Sequence, residues 1–445
     1  MNKVESALQR TTDTKDLIIG AGVVSRTAEM FAKLFPQQTA IIIADLNTWE
    51  VAGKAVFASL EAAGIPQEKP FIFTDKELYA EWQHVEKIHE HLKNLDAIAI
   101  AVGSGVMNDM TKYASHLLGR KYMCVGTAAS MDGYTAYGAS ITKDGNKQTF
   151  DCPAPYGFVM DPVIAADAPK ELAASGYADL IAKIPAAADW LLADVTGNEP
   201  VDKFAWDLVQ DGLREALGDP AAVFAGDVAK TEALSEGLLM SGFAMQAARS
   251  SRPASCADHL FSHYLDMTHH TFNGNLQSHG FQVAIGTLTM CAFFDAFIEM
   301  DLRDLDVEKC VEAWPSLEEE QQRALDIFKD FVSPRLGYDQ ITIKYNDKEA
   351  VRGQLTLFKK HWPLLKAQYR KQVYPFEKMQ ECFRKVGAPA DPADIGVTRQ
   401  QLKDMMPFVQ LMRWRMNMFD LARRGGFYDE LVEKVFGKGG RWEIA

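Results

Sequence analysis

The stretch AIAIAVGSGVMND, Ala97 to Asp109, runs from an apolar strand pattern directly into a helical pattern. Glycines at such a junction let the backbone approach a pyrophosphate, and the N-terminus of the following helix supplies N–H groups and a favourable dipole. The alternative is a tight turn that requires glycine for its backbone conformation alone. The stretch predicts a strand, a turn and a helix, and it makes Gly103 to Asp109 a first candidate for binding a dinucleotide.

Short β-branched runs alternate with amphipathic helical patterns on both sides of this stretch, over roughly the first 165 residues. Such alternation predicts a parallel sheet with right-handed crossovers. A hairpin signal, Asp144-Gly145, lies between Ser140–Thr142 and Gln148–Phe150. The predicted strands of the sheet are Asp16–Ile19, Thr39–Ala44, Pro70–Phe73, Ala97–Val102, Lys121–Val125 and Gly157–Asp161, and helices are predicted over Val51–Ala63 and Glu77–Lys93.

From Pro169 onward, long helical patterns rich in Ala, Leu, Met and Phe replace this alternation, apart from a predicted short strand at Gln340–Lys344. We predict two domains. The first, residues 1–167, is an α/β dinucleotide-binding domain with a Rossmann-like parallel sheet. The second, residues 168–445, is an all-α domain that binds metal and substrate. Because α/β proteins usually bind ligands in such a crevice, we expect the active site in the cleft between the two domains.

Composition and charge exclude several classes of protein. A hydrophobic content of 47% with 24% charged residues is typical of a globular protein. The net charge of -13 argues against nucleic acid or an anionic membrane as the main partner, because phosphate neutralisation needs clustered Lys and Arg. The most hydrophobic stretch, Val283 to Met300, carries Asp295 and Glu299, so it predicts a buried helix and not a membrane span.

The N-terminus has no apolar leader, and the six cysteines are scattered without a CxxC pair. Both features favour a protein of the reducing cytoplasm, and the cysteines offer no thiolate metal site. The long apolar helices of the second half are compatible with a homodimer.

Two features of the first βαβ unit bear on the nucleotide. Gly20-Ala21-Gly22 follows the first strand, but Ser25 stands where the Rossmann fingerprint requires Gly or Ala, so this GxG is weak evidence. Asp45 ends the second strand, about 25 residues after Gly20, where a carboxylate can accept hydrogen bonds from an adenosine ribose. A helix cap or turn residue is the alternative. Because a carboxylate repels a 2′-phosphate, the ribose interpretation favours NAD over NADP.

The segment TAASMDG, Thr127 to Gly133, follows the fifth strand. It places hydroxyls and the Asp132 carboxylate at the C-terminal end of a strand, which is the edge where α/β sites assemble. An ordinary polar loop has a similar composition. The segment is therefore a candidate only in combination with other features.

A cluster of histidines carries the metal hypothesis. His259 and His263 share one face of a helix, and four of the ten histidines fall between residues 259 and 270, with His279 just beyond. Imidazole and oxygen ligands suit Zn, Fe, Ni or Mn, and three protein ligands leave a position open for substrate or water. Spacing alone does not choose between His259 and His263. A hydrogen-bonded structural role is the alternative for each histidine.

Together these segments resemble the iron-containing alcohol dehydrogenase and dehydroquinate synthase-like superfamily. Within it they resemble the sn-glycerol-1-phosphate dehydrogenases, especially the bacterial arabinose-operon-associated type. The resemblance runs from the first strand past His279. It is densest in Gly103–Asp109, Thr127–Gly133, Ser175–Lys183, Ser250–Ser255 with His259 and His263, and Ser278–Gly280.

The resemblance implies a role for each matching residue. Asp179, His259 and His279 are the implied metal ligands, and the substrate lies against Asp132, Asp179 and His263. Asp132 and His263 are the catalytic candidates: Asp132 orients a hydroxyl, and His263 donates or relays a proton near neutral pH. The implied dinucleotide contacts are Asp45 on the adenosine side, Gly103, Ser104, Gly105, Val106, Met107, Asn108, Asp109, Thr127, Ala128, Ala129 and Ser130.

The implied reaction is the NAD(P)H-dependent interconversion of dihydroxyacetone phosphate and sn-glycerol 1-phosphate. One divalent ion, Zn or Ni ahead of Fe, acts as a Lewis acid on the ketone. Lys183 and Arg252 are candidates for the substrate phosphate, with structural ion pairing as the alternative. Competing interpretations are a glycerol or alcohol dehydrogenase, a dehydroquinate synthase-like cyclase, and a non-catalytic protein that binds nucleotide and metal.

Two positions depart from the family pattern. Ala136 stands where relatives often have Ser, four residues after Asp132, so a nicotinamide-side contact is lost or passes to Thr135. The segment Cys256-Ala257-Asp258-His259 replaces the common Gly-Ala/Ser-Glu-His, which retains the ligand but changes its neighbours.

Overall fold

Parallel strands and helices alternate through the first 160 residues of the computed structural model, which describes residues 3–75, 77–143 and 146–444. The strands are β1 (Asp16–Ile19), β2 (Thr39–Asp45), β3 (Phe71–Phe73), β4 (Ala97–Gly103), β5 (Met123–Gly126), β6 (Ala139–Lys143), β7 (Asn146–Phe150), β8 (Gly157–Met160), β9 (Thr271–Phe272) and β10 (Asn275–Leu276). Six of them form one sheet in the order β1-β8-β5-β4-β2-β3, and every pairing in it is parallel.

Helices make up most of the remaining chain. Up to residue 248 they are α1 (Lys3–Arg10), α2 (Thr27–Leu34), α3 (Leu46–Thr48), α4 (Lys54–Ala62), α5 (Trp82–Leu92), α6 (Gly105–Leu117), α7 (Pro162–Asp167), α8 (Lys170–Ile181), α9 (Lys183–Val195), α10 (Lys203–Gln210), α11 (Leu213–Ala216), α12 (Pro220–Ala225) and α13 (Val228–Ala248). Beyond it they are α14 (Ala257–Met267), α15 (His279–Glu299), α16 (Val307–Ala313), α17 (Leu317–Phe328), α18 (Leu336–Lys344), α19 (Lys348–Gln372), α20 (Phe376–Val386), α21 (Arg399–Asp404), α22 (Met406–Leu411), α23 (Met418–Arg424) and α24 (Tyr428–Phe436).

The predicted parallel sheet is confirmed, and each of its six strands lies where the apolar runs indicated. Ile42, Val102 and Val125 on its inner strands belong to one hydrophobic cluster with Phe31 of α2 and Val56 of α4. Burial of this apolar surface favours the sheet–helix packing. The predicted hairpin is confirmed by the antiparallel pairing of β6 with β7, although its turn, Asp144-Gly145, lies outside the described residues.

The predicted strand at Gln340–Lys344 is wrong, because these residues form the end of α18. The buried residues of this helix are Gly337, Ile341 and Lys344, which are spaced four and three apart as on one helical face. Ile343 is 64% exposed. The apparent strand alternation of this short segment was therefore overridden by packing of the helical face.

The hydrophobic stretch predicted as a buried helix forms α15. This helix is long and apolar enough to cross a membrane by length and composition, but 83% of its most apolar 18-residue window is buried within the protein. The burial of nearly every residue from Gly280 to Phe294 is that of a core helix. The prediction of a buried helix is therefore confirmed.

The chain divides into two compact units. The first contains residues 1–181, 204–251 and 385–387 and holds the parallel sheet. The second contains residues 182–203, 252–384 and 388–445 and is built almost wholly from helices. The predicted assignment of nucleotide binding to residues 1–167 and of metal and substrate binding to residues 168–445 concerns function and stays a prediction.

Candidate active site

The junction between β4 and α6 in the first unit is a short turn with a glycine on each side. Only Ser104 separates the last strand residue, Gly103, from the first helix residue, Gly105. Within the described part of the chain, the Ser104 side chain makes no capping hydrogen bond to α6. Because first-turn N–H groups have no partner inside a helix, those of Gly105, Val106 and Met107 are suited to an anionic ligand.

Asn108 and Asp109 were predicted to contact the nucleotide, but their side chains bind the protein itself. The Tyr122 hydroxyl donates to Asn108 Oδ1 at 2.9 Å, and Asn108 Nδ2 donates to Asp109 Oδ1 at 3.0 Å. Asp109 Oδ2 accepts the backbone N–H of Ser140 at 3.0 Å. Burial raises the pKa of the Asp109 carboxyl, and the charge of Lys112 opposes this rise. These side chains connect α6 to the β6–β7 hairpin.

Lys112 shapes the loop after β5, and sequence reasoning missed it. Its side chain is buried, and Nζ donates to the carbonyl oxygens of Gly133, Ala136 and Gly138 at 3.1, 3.0 and 2.9 Å. A buried ammonium needs such acceptors, because it loses its hydration on folding. The available signal was a lysine three residues after Asp109 on the same predicted helix, which is the spacing of an ion pair on one helical face.

The second candidate segment, Thr127 to Ser130, lies beside the first. Gly103 and Gly126 are paired at the ends of adjacent strands, and the Thr127 N–H donates to the Gly103 carbonyl oxygen at 3.1 Å. A Cβ on Gly105 would lie 2.7 Å from the Met131 methyl group. The two predicted nucleotide segments therefore meet at the carboxyl edge of the sheet, as the parallel topology requires.

Asp45 is a helix cap, which was the alternative to a ribose contact in the sequence analysis. It is the N-cap of α3: Oδ1 accepts the Thr48 N–H at 2.8 Å, and the Thr48 hydroxyl oxygen accepts the Asp45 N–H at 3.0 Å. This capping box uses one carboxylate oxygen. A contact between Asp45 and a ribose therefore depends on the second oxygen and stays a prediction.

Asp132 and Asp179 are connected by a hydrogen bond within the first unit. The backbone N–H of Asp132 donates to Asp179 Oδ2 at 2.9 Å. The hydroxyl of Ser241, on α13, donates to Asp132 Oδ2 at 2.8 Å. Asp179 itself is fully buried on α8. Sequence reasoning missed Ser241, since it lies 109 residues from Asp132 and belongs to no motif.

Close packing of α8 against the Thr127–Ser130 segment positions Asp179. A Cβ on Gly176 would lie 1.9 Å from the Ala129 carbonyl oxygen, so only glycine permits this approach. The Ser175 hydroxyl donates to the Ser130 carbonyl oxygen at 3.3 Å. These contacts, together with the hydrogen bond between Asp132 and Asp179, hold both carboxylates in place within the first unit.

His259 and His279 lie close together in the second unit. Their ring centroids are 5.4 Å apart, and their ligand nitrogens lie within 4.8 Å of each other. His259 Nδ1 contacts Asp258 Oδ2, and His279 Nδ1 lies 3.0 Å from the Ser262 hydroxyl, which donates to Gln282 Oε1 at 2.7 Å. With both Nδ1 atoms donating to these oxygens, each Nε2 presents its lone pair. This is the arrangement in which metal-ligating histidines are normally held.

His263 lies in a pocket of the second unit that is also lined by His259, Arg413 and Arg415. Arg413 Nη2 lies 3.3 Å from His263 Nε2. Because a guanidinium only donates, this contact requires an unprotonated Nε2. His263 is therefore placed beside His259, as the resemblance implied, with an arginine at its distal nitrogen that sequence reasoning missed.

The two predicted phosphate ligands are both buried. Arg252 donates from Nη1 to the Met416 carbonyl oxygen and from Nη2 to the Asp189 carbonyl oxygen, each at 3.0 Å, and its Nε lies 3.3 Å from Glu199 Oε2. These contacts favour the structural alternative for Arg252. Lys183 is fully buried at the start of α9.

The Thr135 hydroxyl, the alternative to the serine that relatives have in place of Ala136, is held by contacts within the protein. It donates to the Leu239 carbonyl oxygen at 2.8 Å, and the residue is fully buried. Gly242 lies directly against it, since a Cβ there would be 2.1 Å from Thr135 Oγ1. These contacts favour loss of the serine contact over its transfer to Thr135.

Comparison with known proteins now identifies the family. A family model described as iron-containing alcohol dehydrogenase matches residues 18–169. The glycerol-1-phosphate dehydrogenase (NAD(P)+) of Methanosarcina mazei is 31% identical over 277 residues, which is 62% of this chain and 75% of that protein. The chain belongs to the glycerol-1-phosphate dehydrogenase family. Two further enzymes of this name are similarly related. The one from Pyrococcus furiosus is 32% identical over 62% of this chain and 77% of that protein. The one from Bacillus velezensis is 31% identical over 59% of this chain and 67% of that protein.

Several solved structures share the fold of this chain. A maleylacetate reductase from Agrobacterium tumefaciens has a TM-score of 0.61 at 14% identity and covers 97% of this chain and 98% of its own. A probable glycerol dehydrogenase from Sinorhizobium meliloti has a TM-score of 0.58 at 14% identity, with 95% and 97% covered. At such low identity these likenesses concern the fold alone, and they agree with the predicted fold class.

Proposed function

We propose that this chain catalyses the NAD(P)H-dependent and metal-dependent interconversion of dihydroxyacetone phosphate and sn-glycerol 1-phosphate. The single observation that carries the proposal is the pair of imidazoles on α14 and α15, in a chain of the glycerol-1-phosphate dehydrogenase family. Each imidazole has its Nδ1 beside a side-chain oxygen, which leaves Nε2 for a metal ion. A purely structural histidine pair would not require both rings to be oriented in this way.

Asp179, His259 and His279 are our proposed ligands for one divalent ion. The first offers a carboxylate oxygen and the other two each offer a ring nitrogen. This donor set suits Zn, Ni or Fe, and three protein ligands leave a position open for substrate. When bound, the ion supplies Lewis-acid stabilisation of the charge that develops on the substrate oxygen during hydride transfer.

We place the nucleotide on the carboxyl edge of the sheet. The N–H groups of Gly105, Val106 and Met107 would bind the pyrophosphate, and the Thr127–Ser130 segment would lie against the same ligand. The absence of side chains on Gly103 and Gly105 supports a close approach of the phosphates. Asp45 contacts the adenosine ribose through its second carboxylate oxygen, which tilts the preference toward NADH.

Asp132 and His263 act on the substrate in this proposal. The Ser241 hydroxyl and the hydrogen bond to Asp179 fix the position of Asp132, so its carboxylate can orient a substrate hydroxyl without reorganising. His263 can pass a proton once the Arg413 contact at Nε2 is released. A cytoplasmic location and a homodimeric state belong to the same proposal.

One assay tests the function against its rivals. The metal-free chain is reconstituted separately with Zn, Ni, Fe or Mn, and NADH oxidation is followed with dihydroxyacetone phosphate, dihydroxyacetone and simple ketones. We expect metal-dependent turnover that prefers dihydroxyacetone phosphate and yields sn-glycerol 1-phosphate. Equal rates without the phosphate would point to a glycerol or alcohol dehydrogenase. No NADH oxidation with any ion, despite nucleotide binding, would refute the proposal.

A further inference from the structure

The pocket beside His259 in the second unit is lined by an unusual concentration of hydrogen-bond donors. Its lining includes Ser255, His259, His263, Arg413, Arg415 and Asn417. Three of these residues come from the loop Arg413-Trp414-Arg415-Met416-Asn417 between α22 and α23. The whole chain has a net charge of -13, whereas this small pocket carries the positive charges of two arginines.

Arg415 is buried and Arg413 is half-buried. Arg415 is 8% exposed, and its Nη1 lies 3.5 Å from the Ser255 carbonyl oxygen. Burial lowers the pKa of Arg413, and burial followed by the charge of Arg413 lowers the pKa of Arg415 to about 10. Two partly desolvated like charges destabilise each other, and a bound dianion would remove that cost.

Asn417 provides an independent sign of a ligand. Its Oδ1 accepts the backbone N–H groups of Phe419 and Asp420 at 3.0 and 3.3 Å, which fixes the orientation of the amide. Its Nδ2 is buried and has no hydrogen-bond partner in the described part of the protein, while the residue is 1% exposed. A buried donor without an acceptor costs free energy. Because Asn417 lines the pocket, an acceptor bound there would remove that cost.

We propose that Arg413, Arg415 and Asn417 bind the phosphate group of the substrate. This inference rests on the proposed function and supplies the anion site that Lys183 and Arg252 were first expected to form. Planar guanidinium groups match phosphate oxygens, and the amide N–H adds a third donor. His259 lines the same pocket. In dihydroxyacetone phosphate a single methylene and the ester oxygen separate the carbonyl carbon from phosphorus, so the phosphate site must lie beside the metal site.

The contact between Arg413 and His263 gives the phosphate a second effect. Arg413 Nη2 now lies 3.3 Å from His263 Nε2. A phosphate that attracts this guanidinium would release the His263 nitrogen for proton transfer. Substrate binding and the availability of the proton relay would then be linked through one arginine.

The first test uses two variants and one control. Asn417→Asp retains the cap of α23, because Asp and Asn are equally good N-caps, but it replaces the donor with an anionic oxygen. Arg415→Gln removes a charge at similar length. Arg335→Gln is the control, since its side chain is 67% exposed. We expect KM for dihydroxyacetone phosphate to rise roughly 10- to 100-fold in both pocket variants, with KM for NADH and the control unchanged.

Inhibition by inorganic phosphate gives a second readout. The inhibition constant of inorganic phosphate, measured in competition with dihydroxyacetone phosphate, should rise at least about tenfold in both pocket variants. A rise of this size is expected for loss of a charge-assisted hydrogen bond. An unchanged KM for dihydroxyacetone phosphate in both variants would overturn the inference while leaving the proposed function intact. A rise confined to KM for NADH would also overturn it, because the pocket would then bind a nucleotide phosphate.

Equilibrium binding separates failure of this inference from failure of the proposed function. If no metal restores turnover of dihydroxyacetone phosphate, calorimetric titration with inorganic phosphate still tests the pocket. An anion site would be supported if phosphate binds to the unmodified chain and to the Arg335→Gln control. The same binding should be lost in Asn417→Asp and in Arg415→Gln. Binding of equal strength in all four proteins would rule out the pocket.

Discussion

Gly286 of α15 lies directly against the backbone carbonyl oxygen of Asp258 on α14: a Cβ at this glycine would be 2.0 Å from that oxygen. The close approach lets two helices from neighbouring parts of the chain pack with almost no side chain between them. His259 follows Asp258 and His279 begins α15, so this contact helps to set the distance between the two imidazoles.

The Gly286→Ala variant should therefore weaken metal binding without touching a ligand. Inserting a methyl group against a backbone carbonyl forces the helices apart, at a cost of roughly 1–3 kcal/mol in the free energy of unfolding. We expect lower metal affinity by titration and a lower Tm. Gly353→Ala is the control, because a Cβ there meets nothing within 4 Å and should slightly raise helix stability. Normal metal affinity in Gly286→Ala would contradict this assignment.

Removing one proposed ligand should separate metal binding from nucleotide binding. His259→Ala is expected to lose stoichiometric metal and metal-dependent turnover. NADH affinity measured by fluorescence should stay within about twofold of the unmodified chain, because the segments proposed to bind the nucleotide follow strands of the sheet. His116→Ala, an exposed histidine in the last turn of α6, is the control. Full activity in a metal-free His259→Ala protein would refute the metal mechanism.

Ser241 is expected to act as a positioning residue for Asp132. Loss of the 2.8 Å hydrogen bond in Ser241→Ala should lower kcat/KM for the ketone by roughly tenfold, as for other hydrogen bonds to charged groups. Ser235→Ala is a matched control on the same helix, since the Ser235 hydroxyl donates at 2.7 Å to the Thr231 carbonyl oxygen of its own helix. Equal loss of kcat/KM in both variants would indicate a general effect on α13.

Two roles of Asp45, the helix cap and the proposed ribose contact, can be separated by mutation. The Asp45→Asn variant keeps the helix cap but removes the charge that opposes a 2′-phosphate. We expect the ratio of kcat/KM for NADPH to that for NADH to rise several-fold with an unchanged Tm. In Asp45→Ala the lost cap should also lower stability by about 1 kcal/mol. An unaltered coenzyme ratio in Asp45→Asn would leave the residue as a cap alone.

Asp189 should give stability a measurable pH dependence. Burial raises its pKa to about 6 from the usual 3.8, although a hydrogen bond from the Met418 N–H at 2.8 Å opposes the rise. Between these values the native state binds more protons than the unfolded state, so this residue makes stability fall as pH rises from about 4 to 6. The total contribution is on the order of 2 to 3 kcal/mol.

Urea unfolding at several pH values would detect that contribution. The free energy of unfolding of Asp189→Asn minus that of the unmodified chain should increase through pH 4 to 6 and level off above it. Asp330→Asn, with a side chain that is 89% exposed, should show no such change. A constant difference across this range would mean that Asp189 does not titrate there.

The local pattern of the sequence was sufficient to predict the parallel sheet and the segments that lie at its carboxyl edge. Apolar runs of strand length separated by helical patterns fit few topologies, because parallel strands need buried faces and right-handed crossovers. The turn at Gly103 was likewise predictable, since its two glycines, Gly103 and Gly105, are separated by a single residue in the chain. The short segment at Gln340–Lys344 was not, because its packing partners lie elsewhere in the sequence.

By itself, the sequence determined the parallel sheet, and its resemblance to a known family supplied the family and the three residues proposed as metal ligands. Only the tertiary structure decided how those residues are held: Ser241 on Asp132, Ser262 beside His279, and the loop from Arg413 to Asn417 beside His263. The physical reason is that hydrogen bonds and charge act over a few ångströms in space. Partners such as Asp132 and Ser241 are 109 residues apart in the chain, so no local motif can record their contact.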